Sequence, residues 1–122
     1  MRYETLYDDF LRLFPGDEPL FRGLEKKSDA ERSDGMHVMF GMVVCPYILK
    51  IVSEDPQKTK KAFDFIEQME TSGDDDIVNV AEVTVLEDLM TDEKGGIKRF
   101  GPYLGVESRK TVEQLSQFFD IA

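Results

Sequence analysis

Residues 62–93, AFDFIEQMETSGDDDIVNVAEVTVLEDLMTDE, carry eleven acidic side chains and not one Lys or Arg. The apolar residues among them still recur at helical spacing, so the stretch predicts a folded acidic helix pair rather than a disordered acidic tail. Ala62, Phe63, Ile66 and Met69 line one side of the first helix, with Phe65 flanking. Asp55 followed by Pro56 marks its start: an N-cap Asp accepts from free backbone donors, and Pro in the first turn lacks a donor that would be orphaned anyway. The helix runs to about Thr71. Ser72-Gly73-Asp74 then closes it and opens the next, because Gly tolerates a left-handed C-cap and Asp accepts from new N–H groups. The expected product is an αα-hairpin. Asp75 and Asp76 fall in the first turn of its second helix, where the positive end of the helix dipole favours them. That helix, residues 75–91, is apolar on two stripes: Ile77, Val78, Ala81, Val85 and Leu89 on one, Val80, Val83 and Met90 on the other. Two stripes predict packing on two sides.

Outward from the hairpin, the same periodicity continues. Tyr3, Leu6, Tyr7, Phe10, Leu11 and Phe14 repeat at helical spacing over residues 2–14, and Pro15-Gly16 stops that helix. Asp17 is placed to cap a shorter helix through about Leu24, with Leu20, Phe21 and Leu24 on one side, before the polar connection KKSDAERSDG. Residues 36–49, MHVMFGMVVCPYIL, carry no formal charge when His37 is neutral, yet fall short of the roughly 20 residues that span a bilayer. They read as a core helix. Met36, Met39, Phe40, Val43, Val44, Tyr47 and Ile51 form one stripe, and Val38, Met42, Cys45 and Leu49 cover much of the rest, so packing on more than one side is expected. Pro46 removes one N–H and crowds the carbonyl four residues back, which predicts a kink near Met42. A strand reading of this short apolar run stays open. After the hairpin, TDEKGG reads as a loop, residues 99–104 as a short helical turn closed by Gly105, and residues 107–120 as a last helix burying Val112, Leu115, Phe118 and Phe119. The chain therefore reads as one all-α domain, residues 1–122, of about six helices in an irregular bundle or a short solenoid-like stack of helix hairpins, HEAT-like in that the 55–91 hairpin resembles a HEAT-type repeat.

Composition agrees. A chain of 122 residues suits one domain able to bury roughly two thirds of its unfolded surface without metals or disulfides. The apolar content of 41% and nine Phe support a packed core, while 33% charged residues is too many for a membrane protein. The first residues, MRYETLYDDF, contain acids and no apolar run of signal-peptide type, so a cytoplasmic protein is expected. Cys45 is the only cysteine, which excludes an internal disulfide, and within MVVCPYIL it is expected to be buried and inert.

Of the chain's 25 acids, the remaining 14 nearly balance its 15 bases, so the whole net charge of -10 resides in residues 62–93. An acidic balance argues against phosphate-backbone binding, and a basic protein partner is expected in place of nucleic acid or membrane. Asp75, Asn79 and Glu82 share a face at spacings i, i+4 and i+7, while Thr84, Glu87, Asp88 and Thr91 gather on another. A solvated face is the alternative, but ordinary solvated helices interleave signs. Asp75, Asp76, Asn79, Glu82, Glu87 and Asp88 are therefore the candidate partner-binding residues. The Asp74-Asp75-Asp76 run does not fit a calcium loop, since Asn79 and Val85 occupy the places of the sixth-position Gly and the twelfth-position Glu, and capping is expected instead. His37 is expected to cap or be partly buried. Glu67, Glu70, Glu82 and Glu87 offer acid-base pairs only in principle, and no nucleophile arrangement, phosphate loop, HExxH or CxxC occurs. No enzyme, metal or cofactor is expected.

FGMVVCPYIL, KKAFDFIEQMETSGDDDIVNVAEVTVLEDL and YLGVESRKTVEQL, in that order, resemble a family of small bacterial all-α proteins. Some of its members are similar to immunity proteins encoded beside polymorphic toxins, including contact-dependent growth-inhibition toxins. The likeness covers residues 36–119. It implies a protein that neutralises one toxin by covering its active site or a neighbouring site, with Asp75, Asp76, Asn79, Glu82, Glu87 and Asp88 meeting the Lys and Arg of a basic, nuclease-like toxin domain. An acidic adaptor or scaffold without a toxin partner is the second reading of the same surface.

Overall fold

The computed structural model describes residues 1–92 and 96–118, which contain seven helices and no strand. After a 3-10 turn, Tyr3–Thr5, comes α1, Leu6–Leu11. A second 3-10 turn, Pro15–Asp17, leads into α2, Glu18–Ser28. The third helix, α3, covers residues 36–51, and α4 is Pro56–Glu70. The fifth, α5, covers residues 75–90; α6 is Gly96–Phe100 with a 3-10 extension Gly101–Tyr103, and α7 is Val106–Phe118. None of these helices is long and apolar enough to cross a membrane.

The hairpin forms as its caps dictate. Asp55 accepts from the Lys58 N–H at the start of α4, and Gly73 takes a φ of 76° in the turn. Asp74 accepts from the N–H groups of Asp76 and Ile77 to open α5. At the start of α2 the sequence expectation needs correcting. Asp17 makes no cap; its Oδ2 accepts from the Tyr47 hydroxyl at 2.5 Å and from Lys58 Nζ at 2.8 Å. Those two donors, Lys58 first, hold its carboxyl below the ordinary value. α2 also runs a turn beyond Leu24, to Ser28, closing on Asp29 in the left-handed region at φ 57°. α1 is shorter than its apolar pattern, and Phe14 is buried from beyond its end.

α3 is helical throughout, which closes the strand alternative. Its middle, Phe40–Val44, is π-helical, with the Cys45 N–H reaching Phe40 O, five residues back. Pro46 explains the position. It cannot donate to Met42 O and its ring crowds that carbonyl, so the ladder widens just before it. α5 carries a second π segment, Val80–Leu86, that packs against the first.

The core lies between these helices. Phe10 of α1 stands at its centre, with ring centroids 5.4 Å from Phe14 and Phe65 and 6.2 Å from Phe40 and Tyr47. Cys45 is buried as expected, and burial pushes its thiol far above the ordinary value. Three apolar residues expected inside are not: Met42 is 53% exposed, Val83 52% and Phe118 80%. Leu115 is half-buried; Phe119 and Asp120 lie outside the described residues, as do residues 93–95 of the loop.

Candidate functional site

The two π segments meet at Gly41. A Cβ built there would lie 3.5 Å from Thr84 Cγ2 and 3.6 Å from Asp88 Oδ2, so the backbone of α3 forms the floor of an open depression between α3 and α5. His37, Val38, Met42, Val83, Thr84 and Asp88 surround it, enclosing about 390 Å³. His37, exposed in the first turn of α3, bridges to α5: its Nδ1 is 2.5 Å from Thr84 Oγ1 and its Nε2 is 3.5 Å from Asn79 Nδ2. The two exposed apolar residues Met42 and Val83 both line this depression. Asp88 has no ion-pair partner among the described residues. Burial first, and the neighbouring charge of Glu87 second, hold its carboxyl above the ordinary value.

Asp75 and Asp76 are exposed at the N-terminal end of α5, next to the Asp74 cap, and Asn79 joins the His37 wall. Glu87 is half-buried beside Asp88. Glu82 does not share the face of Asn79. Its Oε2 is 2.9 Å from the Thr111 hydroxyl of α7, on the other side of the helix. A π turn advances each residue less than an α turn, so positions after Val80 rotate out of the α register in which Asp75, Asn79 and Glu82 align.

Glu82 belongs to a second acidic cluster, at the junction of α4, α5 and α7. The Thr111 hydroxyl also lies 3.1 Å from Glu70 Oε2, and Glu70 Oε1 is buried without a hydrogen-bond partner. Burial, then the hydrogen bond and charge of Glu82, push the Glu70 carboxyl up to about 8. A proton on Glu70 turns an orphaned acceptor into a donor toward the Glu82 carboxylate. One turn earlier, Glu67 does the opposite. It accepts from the N–H groups of Glu107 and Ser108 and from the Ser108 hydroxyl, all at 2.9 Å, and so caps α7 from a different helix. Burial alone would raise its carboxyl, but these donors bring it below the ordinary value.

The charge pattern of α5 differs from that of the rest of the molecule. Elsewhere many carboxylates have a basic partner: Asp8 with Arg32, Asp9 with Arg12, Asp17 with Lys58, Glu25 with Arg22, Asp64 with Lys60. Among the described residues, no Lys or Arg reaches ion-pair distance of Asp75, Asp76, Glu82, Glu87 or Asp88. Sequence reasoning found the acids and grouped Thr84 with Glu87 and Asp88, but missed Gly41, Met42 and Val83 as parts of the site. The one available signal was Gly41, a glycine inside an otherwise apolar helix, which marks close backbone approach.

A family model described as a domain of unknown function, DUF7674, matches residues 7–120. No curated protein and no solved structure matches the chain.

Proposed function

We propose that this chain, which belongs to the DUF7674 family, is an immunity protein that binds and neutralises a basic bacterial toxin through the exposed side of α5. The observation that carries the reading is a set of five acids on that one helix, Asp75, Asp76, Glu82, Glu87 and Asp88, with no Lys or Arg at ion-pair distance among the described residues. Unpaired acids beside exposed Met42 and Val83 supply the two parts a protein interface uses: an apolar centre that dominates affinity and a charged rim that steers encounter. Asp75, Asp76, Asn79, Glu87 and Asp88 are the contact residues in this reading. Glu82, engaged with Thr111 and Glu70, supports α5 from behind. The chain acts in the cytoplasm as a binding protein, without catalysis or cofactor.

The reading expects a large secreted protein to be encoded beside this chain, and the test is co-expression with the C-terminal domain of that neighbour. Restored growth and co-purification are expected. Failure of both binding and growth rescue would overturn the immunity reading, and co-purification without protection would make the chain an adaptor.

A further inference from the structure

We infer that the depression between α3 and α5 receives one arginine side chain of a partner protein, stem over Gly41 between Met42 and Val83, guanidinium at Asp88. The inference rests on the protein-binding reading above and names the chemistry that its centre recognises. Three observations converge on it. The walls are amphipathic in the way a long basic side chain is: Met42 and Val83 offer exposed apolar surface, and Asp88 offers a carboxylate with no basic neighbour among the described residues. Of the two long basic side chains, a guanidinium is the more weakly hydrated and pairs bidentately with a carboxylate, which suits Asp88 flanked by apolar Met42 and Val83 better than an ammonium does.

The floor is the third observation. Glycine inside a helix costs about 0.5–1 kcal/mol relative to alanine, and here a methyl group would meet its neighbours at ordinary contact distance. Packing within the chain therefore does not require glycine at position 41. The absence of a side chain there leaves room for a stem to pass over the backbone from outside, beside Thr84 and Asp88.

The partner's chemistry can be tested without the partner. The labelled protein is titrated with butylguanidinium chloride while backbone amide shifts are followed, with butylammonium chloride and sodium chloride at matched ionic strength as controls. Saturable shifts centred on Gly41, Met42, Val83, Thr84 and Asp88 are expected with the guanidinium, and binding should weaken about fivefold in Asp88→Asn, the scale of one exposed charge pair. Gly41→Gln, which fills the floor, should remove the shifts while leaving the helical signal intact. Shifts that never saturate, that centre on residues 74–76, or that persist unchanged in Asp88→Asn overturn the arginine assignment. In those outcomes the co-expression experiment still decides whether α5 docks a toxin by another contact.

Discussion

A methyl group added at Gly105 would stand 2.4 Å from Cδ and 2.5 Å from Oε1 of Glu67. The end of a glutamate normally swings aside, but this one is held by two backbone N–H groups and a hydroxyl of α7. Moving it uncaps that helix. Gly105→Ala should therefore destabilise the protein by about 2 kcal/mol, read as a lower urea midpoint with unchanged slope, and Glu67→Ala should cost a similar amount. If Gly105→Ala were silent, the Glu67 cap would contribute little. Gly41 obeys the opposite rule. A Cβ there would touch Thr84 and Asp88 at ordinary contact distance without displacing them, and Gly41→Ala should stabilise by about 0.5–1 kcal/mol in the same assay.

At the scale of the helices, α7 is fastened by two glutamates of α4 that titrate in opposite directions. Glu67 sits below its ordinary value and Glu70 at about 8. The groups facing Glu70 are Glu82 of α5, Glu67 one turn away and the neutral Thr111 of α7, so no base offsets its charge. Between pH 4.5 and 8 the folded protein keeps a proton on Glu70 that the unfolded chain has lost, and stability falls as pH rises through that window. After discounting for solvent screening, the loss amounts to about 1–2 kcal/mol. Glu67 and Asp17, whose folded values are lowered, give stability that is present above about pH 4 and lost on acidification below it. Thermal melts from pH 5 to 8 should show a declining midpoint in the wild type and a flatter one in Glu70→Gln; equal slopes would mean that Glu70 is already charged at pH 7. The helix boundaries at Asp55-Pro56 and Ser72-Gly73-Asp74 were legible in the sequence because caps are local chemistry, satisfied within three residues. The acids on α5 were legible as a set. Their division into an outward group and Glu82 was not, because it depends on where two helices widen against each other. Only Pro46 announced one of those sites, and α5 has no proline to announce the other. The exposure of Val83 and Phe118 was illegible for a related reason: periodicity locates an apolar side chain on a helix but not the neighbour that covers it.

For the whole molecule, a net charge of -10 with an unpaired acidic helix means self-repulsion concentrated on one side. Screening should relieve it, so the melting temperature should rise between about 0.02 and 0.5 M NaCl, and the rise should shrink in Asp75→Lys/Asp76→Lys/Asp88→Lys. The same triple variant should slow association with a basic toxin domain and flatten its salt dependence in stopped-flow measurements, with the helical signal retained. Loss of the fold instead would make these three residues structural. Beneath this surface, the wide rings of α5 lie against those of α3. Positions two apart stand on nearly opposite sides of a helix, so Glu82 reaches α7 while Thr84 reaches α3. One helix is thereby bolted down on one flank while the other stays open to a visitor.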